Sequence, residues 1–302
     1  MISKFTNQDS KGRRKNEEVL LFASACLLLL AGCQAAAPAT PKIKPTPFIG
    51  STRVELGDIT MYFEARGSGE PLILIHGGFG CSDVWANQIP DFSEQYYVIA
   101  PDSRGQGRTT DSDAPISYHL MAEDVIRLMD YLGIKSAYIV GWSDGGVIGI
   151  DLAIHHPERV KALVAYAATI SPDGNQPGFI EYTRTVTVSE LKSWLGSAYQ
   201  PLGVDYLKLM PDPDRLPIIL EKIRTMWLTE PNFTPEELAG IQVPTLIMDG
   251  QLDDVVRPDH AQVIAKAIPN AQVIILPNTG HYAVLEKSEA WNKAVLDFLE
   301  NK

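Results

Sequence analysis

Residues 137–154 read Ala137-Tyr138-Ile139-Val140-Gly141-Trp142-Ser143-Asp144-Gly145-Gly146-Val147-Ile148-Gly149-Ile150-Asp151-Leu152-Ala153-Ile154. The first four are apolar without alternation, which suits a strand buried on both faces. The last eight keep Val147, Ile148, Ile150 and Ile154 at helical spacing. Between them lies G-x-S-x-G, followed at once by Gly146. A serine on so sharp a strand-to-helix turn has strained backbone angles. The residues two before and two after it approach so closely that only glycine fits. The turn lifts the Ser143 hydroxyl clear of the sheet and sets it at a helix N-terminus, where N–H groups and the helix dipole favour negative charge.

Outward from this turn the chain alternates strand and helix. Thr52–Leu56 and Ile59–Ala65 flank a Gly-Asp turn and predict an antiparallel hairpin. Apolar runs then recur at Leu72–Ile75, Tyr96–Ala100, Ala137–Val140, Ala162–Ala168, Thr245–Met248 and Val273–Leu276, each expected to be buried on both faces. Helical faces fall between them, such as Met121, Val125, Leu128, Met129 and Leu132. The pattern predicts an α/β fold with a mostly parallel sheet flanked by helices. One stretch breaks the rhythm. Residues 169–240 hold no good strand but helical pieces at Ser189–Leu195, Pro217–Leu228 and Thr234–Ala239, the last with a Thr234/Glu237 capping box. So long an insertion between core strands reads as a helical cap.

A serine hydroxyl is a weak nucleophile and needs a base that is itself oriented by an acid. In this architecture the acid and then the histidine should follow, each after a strand. Strand Thr245–Met248 runs into Asp249-Gly250-Gln251-Leu252-Asp253-Asp254, and strand Val273–Leu276 into Pro277-Asn278-Thr279-Gly280-His281. His281 is therefore the expected base. Asp253 is the preferred acid, with Asp254 and Asp249 as alternatives. The other histidines, His119, His155, His156 and His260 among them, read as solvated or capping. Cys81 has no identifiable base and reads as a small packing residue. No Cys/His spacing suggests a metal and no Gly-rich loop with a lysine suggests a phosphate site, so neither metal nor cofactor is expected.

The sequence resembles the α/β-hydrolase superfamily over residues 51–302. Pro71–Gly80 matches its apolar strand followed by His-Gly-Gly, and Asp102-Ser103-Arg104-Gly105-Gln106-Gly107 its fourth-strand loop. The resemblance implies an oxyanion hole from the N–H groups of Gly78, or Phe79, and Asp144. It makes His76 a bracing side chain. Gly-Trp-Ser-Asp-Gly-Gly is similar to the elbow of biphenyl-hydrolase-like proteins, where the resemblance implies that the aspartate recognises an ammonium group; the preferred reading of Asp144 here is a carboxylate placed favourably in a helix's first turn. Phe79, Trp142 and Asp144 are the expected substrate contacts. A serine at the elbow, instead of an aspartate, argues against dehalogenase or epoxide hydrolase chemistry.

The first fifty residues read as an address. Lys4, Lys11, Arg13, Arg14 and Lys15 precede an apolar run, Val19–Gly32, too short for a bilayer span, which needs about 20 residues. Leu30-Ala31-Gly32-Cys33 resembles a bacterial lipobox. Residues 1–32 are thus expected to be a lipoprotein signal peptide and Cys33 a lipidation site. Residues 33–50, with prolines at 38, 41, 45 and 47, should form a semi-extended tether, reaching roughly 50 Å at about 3.1 Å per residue. The expected location is the bacterial cell envelope, the outer membrane if the source has one.

Composition agrees with a folded acidic body. The chain has 302 residues, 45% apolar, with 26 basic and 37 acidic side chains, a net charge of −11. Disorder and a nucleic-acid partner are both excluded on these figures. Membrane attachment of such a body would have to come from acyl chains. The expectation is a serine hydrolase acting on a small carboxylic ester or lactone. Cofactor-free perhydrolysis, carbon–carbon bond hydrolysis, and a non-catalytic tethered ligand-binding protein remain as alternatives.

Overall fold

The computed structural model describes residues 48–302. The expected signal peptide, Cys33 and residues 33–47 of the tether lie outside the described residues. The fold starts slightly earlier than residue 51. Phe48 packs edge-on against Phe63 at 5.5 Å and its carbonyl accepts a 2.8 Å hydrogen bond from Tyr97 Oη.

Eight strands form one sheet: β1 Gly50–Leu56, β2 Ile59–Gly67, β3 Glu70–Ile75, β4 Tyr96–Pro101, β5 Ala137–Trp142, β6 Val160–Tyr166, β7 Thr245–Gly250 and β8 Gln272–Leu276. Their order is β1-β2-β4-β3-β5-β6-β7-β8. β1 and β2 form the hairpin, β2 is antiparallel to β4, and every later pairing is parallel. The antiparallel hairpin thus caps a parallel sheet. Strands β4 to β7 are buried almost throughout, as their unbroken apolar runs require. β8 is the exception. It is the last strand of the sheet, and Val273 is 43% exposed, because an edge strand with an apolar run need not be covered.

Trp291, on helix Ser288–Leu299, fills the core against Trp85, Phe92 and Tyr166 at 5.8–6.2 Å. In the Asp102–Gly107 loop, Arg104 is buried. It forks onto Asp124 through Nε (2.6 Å) and a terminal nitrogen (2.8 Å), and also reaches Asp58 at 3.2 Å. The paired carboxylates make burial of that charge tolerable. Asp102 accepts from the amides of Ser82 and Arg108, so the loop is a hydrogen-bonding hub.

Between β6 and β7 the chain forms helices Pro177–Thr185, Val188–Tyr199, Tyr206–Leu209, Leu216–Thr229 and Pro235–Gly240. The Thr234/Glu237 capping box is present, and a second one joins Thr187 and Glu190. Helices Pro177–Thr185 and Tyr206–Leu209 left too little periodicity in the sequence to be seen. Among the described residues, no helix is long and apolar enough to cross a membrane.

Candidate active site

β5 ends at Trp142 and helix Asp144–His155 begins two residues later, leaving Ser143 alone at the corner. Its backbone, φ 55° and ψ −118°, lies in a region that L residues rarely occupy. The flanking glycines are steric necessities. A Cβ on Gly145 would run into the Ile75 carbonyl, and one on Gly141 into the Gly145 carbonyl.

His281 Nε2 lies 3.0 Å from Ser143 Oγ, and His281 Nδ1 lies 2.8 Å from Asp253 Oδ2. Asp253 Oδ1 accepts from the amides of Val255 and Val256, both at 2.7 Å. Of the three candidate acids, Asp249 at the end of β7 and Asp253 and Asp254 beyond it, Asp253 is therefore the one that meets the histidine. The His281 loop is held from several sides. Trp142 Nε1 donates to the His281 carbonyl at 2.9 Å and Tyr166 Oη to the Gly280 carbonyl at 2.5 Å. A Cβ on Gly250 would strike the Thr279 and Gly280 carbonyls, so the acid and histidine loops touch backbone to backbone.

Asp249 is fully buried behind Asp253 and shares a hydrogen bond with it. Burial, followed by the neighbouring charge, pushes its carboxyl far above the carboxylate range. Burial also opposes ionisation of Asp253, but its bonds to His281, Val256 and Asp249 hold its carboxyl below the usual value. Burial thus favours the neutral form of Asp249, whereas its partners favour the ionised form of Asp253. Sequence reasoning ranked Asp249 as a rival acid and missed its role as neighbour to the acid.

The loop after β3 makes a turn in which Gly80 N–H donates to the Gly77 carbonyl at 2.9 Å. At its tip Phe79 has φ 52°. Among the described residues, the amides of Gly78, Phe79 and Asp144 donate to no protein acceptor, while all three residues line the cavity beside Ser143. His76 braces the loop: its Nδ1 is 2.7 Å from the Gly77 carbonyl and its Nε2 accepts from Ser103 N–H at 2.9 Å. Burial depresses its pKa and keeps it neutral. Two cap tyrosines, which nothing in the sequence tied to this loop, hold it from above. Tyr199 Oη donates to the Phe79 carbonyl at 3.0 Å and Tyr206 Oη to the Gly80 carbonyl at 3.2 Å.

Asp144 lies in the first turn of the helix, as expected, with its side chain buried. Its Oδ1 accepts from Tyr118 Oη and from Trp227 Nε1, each at 2.9 Å, and Trp227 Nε1 also approaches Oδ2 at 3.0 Å. Burial raises its pKa to about 6, against the effect of these two donors. Tyr118 went unnoticed in the sequence, since a lone tyrosine at a helix start carries no directional signal. Phe79 stacks edge-on against Trp227 at 5.8 Å, so cap and oxyanion loop close on one another. The cavity of about 390 Å³ is mostly aromatic and aliphatic, with Phe179, Tyr182, Trp194 and Trp227 from the cap and Asp144 as its buried charge.

Two other groups are not part of this site. Cys81 is buried, donates to Asp83 at 3.2 Å, and has its thiol pushed well up by burial and two nearby acids. It is inert packing. His260 is buried, not solvated as expected. Its Nε2 accepts from Ile170 N–H at 3.1 Å, and burial lowers its pKa to about 4.

Sheet order, elbow and cap define the class: the chain belongs to the α/β-hydrolase family, and it is a hydrolase. Residues 70–184 match the family described as alpha/beta hydrolase fold, and residues 225–302 the one described as TAP-like protein. Particular relatives sharpen this. The 2-hydroxy-6-oxo-6-(2'-aminophenyl)hexa-2,4-dienoic acid hydrolase of Metapseudomonas resinovorans is 30% identical over 263 residues, 80% of this chain and 88% of that protein. The serine hydrolase BPHL of Mus musculus is 27% identical over 275 residues, 86% of this chain and 91% of the relative. Carboxylesterase CesB from Bacillus subtilis superposes with a TM-score of 0.67 at 25% identity, covering 86% of this chain and 94% of that one.

Proposed function

We propose that this chain cleaves a small carboxylic ester or lactone through an acyl-enzyme on Ser143. The observation that carries this reading is the unbroken relay Ser143 Oγ–His281 Nε2, His281 Nδ1–Asp253 Oδ2, at 3.0 and 2.8 Å. His281 takes the hydroxyl proton as Ser143 attacks the carbonyl carbon, and Asp253 steadies the imidazolium. The oxyanion binds at the free amide of Asp144 and that of Gly78 or Phe79. The C–O bond breaks, the alkoxide leaves with the His281 proton, and water repeats the sequence to release the acid. Phe79, Trp142 and Asp144 line the cavity and are the proposed substrate contacts.

Asp144 is ionised above about pH 6 and offers a negative group to a cationic substrate. A second reading is hydrolysis of a carbon–carbon bond next to a ketone on the same triad, favoured by the 30% identical relative named for such a substrate. A panel of acetyl, butyryl and α-aminoacyl esters, a lactone and a vinylogous diketone, assayed side by side, separates the readings. Ester or lactone turnover far above the diketone supports the first; the reverse overturns it. Preference for α-aminoacyl esters that vanishes below pH 6 would assign Asp144 to ammonium recognition. We further propose anchoring to the cell envelope through a lipid on Cys33, which mass spectrometry of the mature N-terminal peptide tests.

A further inference from the structure

On the surface behind the elbow, Asp151 meets two imidazoles. Its Oδ1 lies 3.0 Å from His119 Nδ1 and its Oδ2 lies 3.7 Å from His155 Nε2. All three groups fall within 4.8 Å of one another. Asp151 and His155 stand one turn apart on helix Asp144–His155, and His119 reaches across from helix Tyr118–Tyr131. The two imidazoles are accessible, with side chains 56% and 39% exposed, whereas the Asp151 side chain is only 4% exposed.

That buried carboxylate lacks a permanent cation. Among the described residues, Asp151 pairs only with histidines, Glu123 only with His156, and no lysine or arginine bridges to Glu230. Glu230, at the end of a cap helix, faces both Asp151 and His119, and Glu237 faces His155. Imidazole carries no permanent positive charge, so the cluster holds more acid than it permanently balances.

We propose that His119, Asp151 and His155 bind one divalent transition-metal ion, zinc in the first instance, and so clip the elbow helix to its neighbour. A two-nitrogen, one-oxygen ligand set suits zinc. Tetrahedral zinc with bonds of about 2.0–2.1 Å places its ligand atoms roughly 3.3 Å apart. The two histidine–carboxylate distances, 3.0 and 3.7 Å to different oxygens of Asp151, lie near that spacing, and the wider separations within the set, up to 4.8 Å, close by rotation of two exposed rings. Water completes the shell. Asp151 lies eight residues from Ser143, about 12 Å along the helix, so the ion takes no part in the reaction. The sequence hid this grouping because His119 is 32 residues from Asp151.

The test is calorimetric titration of zinc chloride into the chelator-stripped chain, carrying no histidine tag, alongside melting curves with and without zinc. One ion should bind per chain, saturating at micromolar zinc and raising the melting temperature. His119→Ala and His155→Ala should each weaken binding by about tenfold or more, while His156→Ala leaves it within about twofold. Each histidine also partners the buried Asp151 carboxylate, so the zinc-free variants should melt somewhat below the parent, and binding is read at a temperature where their melting curves show them folded. Absence of saturable binding below millimolar zinc would overturn the site, as would stoichiometric binding that survives in the His119→Ala/His155→Ala double variant.

Discussion

Asp253→Asn is the most informative single change at the triad. Asp253 Oδ1 receives two amide N–H groups at 2.7 Å, so that position demands an acceptor. An asparagine must place its carbonyl oxygen there, which turns its NH₂ toward His281 Nδ1. That nitrogen then has to accept, and the imidazole proton moves to Nε2, the atom 3.0 Å from Ser143 Oγ. A protonated Nε2 cannot take the serine proton. The geometry survives and the tautomer is wrong. The expected loss is about 10⁴-fold in kcat, roughly 5.5 kcal/mol of transition-state stabilisation. Stopped release of p-nitrophenol from the acetate ester measures it, with the melting temperature as a folding control. Asp254→Asn should leave kcat nearly untouched. Retention of kcat within tenfold in a folded Asp253→Asn protein would refute the assignment of the acid and the tautomer argument with it.

Other expectations follow from neighbouring contacts. Asp249→Asn keeps a neutral donor beside Asp253 and should leave the acid limb of kcat/KM in place. Asp249→Leu removes that donor, makes Asp253 more basic, and should move the limb upward by roughly one pH unit, the equivalent of about 1.4 kcal/mol. Trp227→Phe removes one of two donors from Asp144 and loosens the cap against the Phe79 turn. It should raise KM more than it lowers kcat, checked with a butyryl ester. His260 has a folded pKa of about 4, below its unfolded value, so the unfolded chain binds the extra proton first. Its contribution to stability is complete above about pH 6.5 and is lost as pH falls toward 4, by up to about 3 kcal/mol. Urea midpoints measured across that window should fall more steeply than those of His260→Gln.

Much of this architecture was legible because its signals are local. The strand, the glycines around Ser143 and the helical run after it are contiguous, and the clash that demands Gly141 lies within the turn, although the one that demands Gly145 is with Ile75 of β3. Asp253 and His281 each follow a buried apolar strand, so their placement comes from counting strands. What stayed hidden depends on pairs far apart in the chain. Tyr118 and Trp227 meet Asp144 from 26 and 83 residues away, and Tyr199 and Tyr206 reach the Phe79 turn from more than 100. An aromatic residue in a helical insertion signals burial but not direction. β8 shows the converse error, in which an apolar run was read as doubly covered although the strand closes the sheet and is partly exposed. Asp249 was visible only as a third acid, because its raised pKa comes from burial that sequence does not specify.

The central claim is that Ser143 forms a covalent acyl intermediate. Treatment with a fluorophosphonate, followed by intact-mass and peptide mass spectrometry, tests it most directly. One adduct per chain on Ser143, absent in Ser143→Ala and strongly slowed in His281→Ala, is the predicted result. No adduct on Ser143 in folded protein, or full ester turnover by Ser143→Ala, would contradict it.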